Sequence, residues 1–212
     1  MRRSFNVSML ALETASYEEA SVAFFGENAG PFQEIFPMGR DLSSQIMPAI
    51  EKMIRGCVPE IIVVDRGPGS FTGIRTGLAA AQGLALGWGS KLVGISRFDF
   101  YPREKESGNE LLLLDAKAGG GFYYEYRTDG KKDAGFCKKD ELSLKFPDCQ
   151  CYYGECDETT FPEKRFVPLN IAGSLDAKYL LALAMVKMDN GEELPADAIY
   201  LHLRALLPKN KL

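Results

Sequence analysis

Apolar residues along the chain fall into short runs that alternate with stripes at helical spacing. Val7 to Leu12 is the first run and ends at Glu13-Thr14. Ser21 to Phe25 is a second, and the turn-forming stretch Ala15 to Glu19 between them predicts a hairpin. Gln33 to Phe36 follows the turn Glu27-Asn28-Ala29-Gly30 and predicts a third strand. Leu42, Ile46, Ile50, Met53 and Ile54 then recur at helical spacing, with Asp41 or Ser43 as cap and Gly56 as stop. Pro48 fits only a first helical turn, so this helix is expected to start later than Asp41. Ile61 to Val64 is an unbroken β-branched run of the kind found in strands covered on both faces. Gly67-Pro68-Gly69 turns the chain, Ser70 and Thr72 are candidate N-caps, and a helix is predicted from about Thr72 to Trp88. Lys91 to Ile95 closes this part as a strand. The order βββαβα plus a strand implies parallel pairs joined by right-handed crossovers.

A polar link, Pro102 to Asn109, precedes a second passage of similar type. Leu111 to Leu114 is a buried strand ending in Asp115, and Phe122 to Tyr126 is its expected hairpin mate across Gly119-Gly120-Gly121. Asp129-Gly130 marks the next turn. Cys149 to Tyr153 and Phe166 to Pro168 supply further strands. Ser174 to Met188 is the strongest helix of this half, with Leu175, Tyr179, Leu180, Leu183 and Val186 in phase and Asp189-Asn190-Gly191 closing it. Two hairpin-led halves, each opening with a strand that ends in an acid, predict an α/β fold of two tandem ribonuclease-H-like subdomains, 1–100 and 101–212.

The Thr72–Trp88 helix holds Gly73, Gly77, Gly83 and Gly87, each costing roughly 1 kcal/mol relative to alanine in a helix interior. Gly73, Gly77, Ala80 and Ala81 share one face, and Ala79, Gly83 and Gly87 another. Flat faces admit close approach, either of the chain's own sheet or of a second helix. The turn before the helix offers N–H groups at the positive end of a helix dipole, which suits anions. The specific phosphate fingerprints are missing: Thr72-Gly73-Ile74 carries no lysine, and the spacing is GxGxxxG rather than GxGxxG. A nucleotide or anion site would have to be built on Glu13, Gly67, Gly69, Ser70 and Asp115. Carboxylates at strand ends also cap turns, and that is the plainer role for both acids.

Gly67-Pro68-Gly69-Ser70-Phe71-Thr72-Gly73-Ile74-Arg75, followed by Gly77-Leu78-Ala79 and Gln82-Gly83-Leu84-Ala85, resembles the TsaB (YeaZ) family. The resemblance covers the N-terminal half well and the C-terminal half loosely. It implies an actin/Hsp70/sugar-kinase-like (ASKHA) fold and a non-catalytic partner of TsaD in the synthesis of threonylcarbamoyladenosine at adenosine 37 of ANN-decoding tRNAs. It further implies a heterodimer with TsaD, TsaE as a possible third member, a homodimer in isolation, tRNA contact only through the complex, and no cofactor. The family's partner contact uses helices of the N-terminal domain, so the resemblance points to Gly73, Arg75, Thr76, Gly77, Ala80, Ala81 and Leu84, with the Asp41–Arg55 helix beside them. Leu12-Glu13-Thr14 stands where the family has Asp-Thr, and Asp115-Ala116-Lys117 resembles its Asp-Ala-Arg. Asp65-Arg66 replaces a usual small residue, and four residues separate Pro195 from Tyr200 where the family's tail is tighter. The competing reading is an enzyme of the same fold, a phosphotransferase or glycoprotease.

Composition narrows the choice. At 212 residues, 46% hydrophobic and 25% charged, the chain has the content of an ordinary globular protein. A net charge of −4 argues against independent gripping of nucleic acid. No apolar run reaches membrane-spanning length and no secretory pattern follows Arg2-Arg3, so a cytoplasmic location is expected. The five cysteines, Cys57, Cys137, Cys149, Cys151 and Cys156, are expected to be free thiols. Cys149, Cys151 and Cys156 lack the CxxC spacing of zinc sites, and the single histidine, His202, is remote; no metal site is expected.

Overall fold

The computed structural model describes residues 7–26, 29–37, 41–101, 108–117, 120–128, 130, 132–168 and 175–199. Gly119, Asp129, Ser174 and His202 lie outside the described residues. The chain divides into two compact units, Met1–Phe100 with Gly173–Ile199, and Tyr101–Ala172 with Tyr200–Leu212.

The first unit holds five strands: β1 (Met9–Glu13), β2 (Glu19–Gly26), β3 (Ala29–Pro37), β4 (Ile61–Asp65) and β5 (Lys91–Ile95). Their order is β3-β2-β1-β4-β5. The hairpin strands pair antiparallel, while β1, β4 and β5 run parallel, as a crossover helix between them requires. Every residue of β1 and β4 is buried, so both faces of the sheet centre are covered. Helices α1 (Leu42–Ile54) and α2 (Phe71–Trp88) contact each other and cover β2 to β5.

α1 starts at Leu42 with Pro48 inside it, earlier than the proline predicts. The interior proline costs about 3 kcal/mol. Burial of Leu42, Ile46, Ile50, Met53 and Ile54 contributes about 1.5–3 kcal/mol for each, which offsets that cost. Asp41 is the N-cap residue, but its side chain makes no cap bond; Ser44 Oγ donates to its carbonyl instead, at 2.8 Å.

The second unit repeats the strand order. β6 (Glu110–Asp115), β7 (Gly120–Tyr126), β8 (Lys132–Lys138), β9 (Cys151–Gly154) and β10 (Arg165–Phe166) are arranged β10-β9-β6-β7-β8. Strands β6 to β8 are antiparallel and β9 and β10 parallel to β6, as in the first sheet. The α1 position here holds only a single turn, α3 (Leu142–Lys145). Its Leu142 joins Leu111, Leu113, Tyr123, Phe146, Tyr152 and Phe161 in the core of this unit.

The last helix, α4 (Ala177–Asp189), corrects the simple division at residue 100. It packs on β1, β2 and β4 and belongs to the first unit. Asp176 caps it by accepting from Lys178 N and Tyr179 N, and Ala177 N donates to the buried Ser21 Oγ of β2 at 2.9 Å. The physical reason is cover: the second face of a sheet buried on both sides needs an apolar lid, and Ala177, Leu180, Leu181 and Ala184 provide it. Among the described residues no helix is long and apolar enough to cross a membrane.

The glycines of α2 separate by environment. A Cβ on Gly77 would stand 2.1 Å from Thr14 Oγ1, whereas one on Gly83 would meet nothing within 4 Å. Gly77→Ala is therefore expected to lower the unfolding free energy by about 1–3 kcal/mol through overpacking. Gly83→Ala is expected to raise it by up to about 1 kcal/mol through helix propensity. Urea denaturation of both variants checks the pair.

Candidate functional site

Parallel pairing of β1 with β4 sets Leu12 beside Val64, so the next residues, Glu13 and Asp65, end neighbouring strands together. Arg97 reaches them from the 3-10 turn Arg97–Phe100 that follows β5. Its Nη1 donates to Glu13 Oε1 at 3.1 Å and stands 3.6 Å from Asp65 Oδ2. Glu13 is 2% exposed and Asp65 is fully buried. Backbone amides complete the cage, Ser16 N donating to Glu13 Oε1 at 3.0 Å and Gly67 N to Asp65 Oδ1 at 2.8 Å.

Two buried carboxylates facing one guanidinium would leave an uncompensated negative charge. Burial pushes the Glu13 carboxyl up from 4.5 to about 8; Arg97 pulls it down, and the nearby Asp65 charge raises it. Each carboxylate charge opposes the other across this short span, which favours the protonated form of Glu13. Arg97 is the cation that both acids face in this buried cluster.

The glycine turn is closed in the same way. Gly67 adopts φ 91° and is followed by a cis peptide to Pro68. A Cβ on Gly69 would fall 2.1 Å from the Ala15 carbonyl oxygen, which accepts from Ser70 N at 2.8 Å. Ser70 is the N-cap of α2, its Oγ accepting from Gly73 N at 3.2 Å. Glu13, Gly67, Gly69 and Ser70 do come together, but the amides of Gly67, Ser70 and Gly73 are engaged within the chain.

Asp115 belongs to the other unit. It is half-buried, accepts from Lys117 N at 2.9 Å and pairs with Lys117 Nζ at 3.3 Å. Its own amide donates to Glu155 Oε2 at 3.1 Å. Asp115 and Glu155 line a recess with Gly121, Lys139, Cys156 and Thr160. Among the described residues no group of three or more His, Cys, Asp or Glu could hold a metal ion. All five cysteines are free, and burial pushes the Cys149 and Cys156 thiols up to about 12. Cys149 Sγ donates to the Cys151 carbonyl, which is the behaviour of a small core residue.

The residues expected to form a partner surface split. Gly73, Gly77 and Ala81 are buried against the chain itself; Thr76, Ala80 and Leu84 are half-buried; Arg75 is exposed. The small-residue face centred on Gly77 is therefore a packing face, fitted to Thr14. The outward face of α2 is Phe71, Arg75, Ala79, Gln82, Gly83, Leu86 and Gly87, with Leu86 88% and Phe71 47% exposed. The apolar Phe71 and Leu86 on the phase of Ala79 and Gly83 are the sequence signal for it. Asp65 and Arg97 were missed as partners of Glu13. Asp65 was visible as an acid ending an apolar run, whereas no spacing links Arg97 to either acid.

Two mixed sheets of matching order, each opening on a strand that ends in an acid, define a protein of the actin-like α/β class. A structure of that description from Bacteroides thetaiotaomicron, an actin-like ATPase fold of unknown function, is 9% identical, with TM-score 0.51 over 84% of this chain and 96% of that one. YeaZ from Pseudomonas aeruginosa matches at TM-score 0.66, 21% identical, over 92% of this chain and 100% of that one. A family model described as TsaD, tRNA N6-adenosine threonylcarbamoyltransferase, matches residues 37–148, just over half of the chain. The tRNA threonylcarbamoyladenosine biosynthesis protein TsaB of Escherichia coli is 30% identical over 131 residues, 57% of this chain and 55% of that protein. TsaB of Haemophilus influenzae is 37% identical over 123 residues, 53% of this chain and 50% of its own. The chain belongs to the TsaB (YeaZ) family, within reach of the wider TsaD model. The match spans about half the length of these curated relatives.

The raised Glu13 pKa fixes a pH dependence. The folded chain holds this proton more tightly than the unfolded one, so its contribution is complete below about 4.5 and is lost as pH rises toward about 8. Unfolding free energy should fall with pH across that window by up to about 1.4 kcal/mol per unit. Glu13→Gln, which keeps the shape without the titration, should flatten the slope, and urea titrations between about pH 5 and pH 8.5 read it. Arg97→Met leaves the acids without their cation and should cost about 3–5 kcal/mol.

Native alkylation provides a second check. Cys57, which is exposed, should react with iodoacetamide first. The buried Cys137, Cys149 and Cys151 should be labelled only on unfolding, with the half-buried Cys156 between, as mass spectrometry of timed samples will read.

Proposed function

We propose that this chain is the non-catalytic subunit of a tRNA threonylcarbamoyladenosine system, binding TsaD and supporting the transfer that TsaD performs. The observation that carries the reading is the closed state of Glu13. Actin-like enzymes commonly use a strand-end acid at this position to reach a metal–nucleotide complex. Here that carboxyl is buried, its pKa raised by that burial, and it is already paired with the Arg97 guanidinium. An acid so neutralised has no charge to offer a cation. The part of the TsaB relatives in tRNA threonylcarbamoyladenosine biosynthesis agrees with a supporting role, and the acidic balance of the chain leaves tRNA contact to the complex.

The partner surface proposed is the outward face of α2, with Leu86 and Phe71 as apolar anchors and Ala79, Gly83 and Gly87 letting a partner helix approach closely. Self-association in the absence of TsaD would use the same face. TsaE is a candidate third member.

Co-purification with TsaD and TsaE of the same organism, coupled to an assay of modified tRNA, tests both points. Wild type should bind TsaD and restore modification. Leu86→Glu, at a position 88% exposed, should leave the melting temperature unchanged and weaken binding by about 30-fold, the loss of one interface anchor. Tight ATP–magnesium binding with turnover by the isolated chain would replace this reading by the phosphotransferase one.

A further inference from the structure

β5 is the edge strand of the first sheet, and such an edge presents unpaired backbone groups. The segment Leu194 to Ile199, which follows α4, crosses it at Gly94. Gly94 N of β5 donates to the Leu194 carbonyl at 3.1 Å. The approach is possible only because residue 94 has no side chain: a Cβ there would stand 2.4 Å from the Pro195 oxygen and 2.7 Å from Ala196 Cα. Arg66, at the end of β4, holds the segment from the other side. Its Nη1 donates to the carbonyls of Pro195 at 3.1 Å and Asp197 at 3.4 Å, and its own carbonyl accepts from Ile199 N at 2.8 Å. Gly67 is bare in the same sense, since its Cβ would meet the Ile199 oxygen at 3.2 Å.

These attachments are polar and few. No residue from Leu194 to Ile199 is among the buried core; Pro195 and Asp197 are exposed, and Leu194, Ala196, Ala198 and Ile199 are half-buried. A segment held by main-chain bonds and one guanidinium, with no fully buried side chain, belongs to the low-stability end of a domain. The neighbouring strands β1 and β4 are buried throughout and belong to the other end.

We propose that Leu194–Ile199 is a releasable strap, latched by Arg66, over an edge built to accept an extended peptide. The edge selects its occupant by chemistry. It needs two carbonyls two residues apart for the guanidinium, a residue lacking bulk where the backbone crosses Gly94, and a free amide for the Arg66 carbonyl. The chain's own strap meets all three conditions and is the resident occupant; when it lifts, the same strap sequence supplied in trans can take its place by strand addition. This is independent of the subunit reading above, which rests on Glu13 and α2.

Hydrogen exchange on the full chain, followed by mass spectrometry, tests release. The strap amides and Gly94 should exchange at least 100-fold faster than those of β1 and β4. Arg66→Met should accelerate the strap at least tenfold further while β1 and β4 stay unchanged. Acceptance is tested on a full chain in which residues 194–199 are replaced by glycine and serine. That chain should keep its fold by circular dichroism and bind a fluorescein-labelled Leu-Pro-Ala-Asp-Ala-Ile peptide that wild type ignores. Adding Arg66→Met should weaken the peptide at least tenfold. Exchange of the strap only together with β1 and β4, collapse of the glycine–serine chain, or failure of that chain to take the peptide would each overturn the proposal.

Discussion

Two carboxyl groups and one guanidinium, shut away from water where β1 and β4 end, set the terms for the first unit. A buried charge is tolerated only when it is paired and its remaining lone pairs are satisfied. Meeting that condition for Glu13 and Asp65 takes the reach of Arg97 and the amides of Ser16 and Gly67. Each demand shapes a neighbouring piece of chain. Gly67 must turn back toward Asp65, Gly69 must lie against the Ala15 carbonyl, and Ser70 is left at the start of α2 in position to cap it. The glycine turn whose amides could suit an anion is therefore tied into an internal acid cluster.

The second sheet repeats the strand order of the first but solves its strand-end acid differently. Asp115 is half-buried, satisfied by the adjacent Lys117 and tied through its amide to Glu155, which also accepts from the Tyr101 hydroxyl. With solvent at hand, no buried guanidinium is needed. Its helices have also shrunk: α3 is four residues, and the core is completed by aromatic side chains such as Tyr152 and Phe161 from strand and loop. Divergence between the halves thus follows from how much water each acid sees and how much helix each sheet carries.

Much of this was legible in the residues. The run Ile61 to Val64, the glycine turn and Ser70 specify strand, turn and helix by local chemistry, and the structure has all three. The duplication was visible as two hairpins opening on strands that end in acids. β8 was not visible, because Lys132 to Lys138 is an edge strand with charged ends and little β-branched content. Periodicity found α4 but not its destination, since an apolar stripe states that a helix is covered without naming the sheet that covers it. The same blindness misassigned Gly77: small residues advertise close approach, and only the position of Thr14 decides what approaches. Arg97 carried no signal because its role depends on a contact with a residue 84 positions away.

The docking of α4 gives this unit an awkward order of assembly. Ser21 waits for Ala177, 156 residues further on, before its hydroxyl accepts the bond found in the finished sheet. During synthesis, at roughly 5–20 residues per second, one apolar face of β1 and β2 stays bare for about ten seconds or more while Tyr101–Ala172 of the second unit is made. A nascent chain in that condition is a substrate for chaperones, and a pause late in translation would lengthen the exposure of the sheet made first.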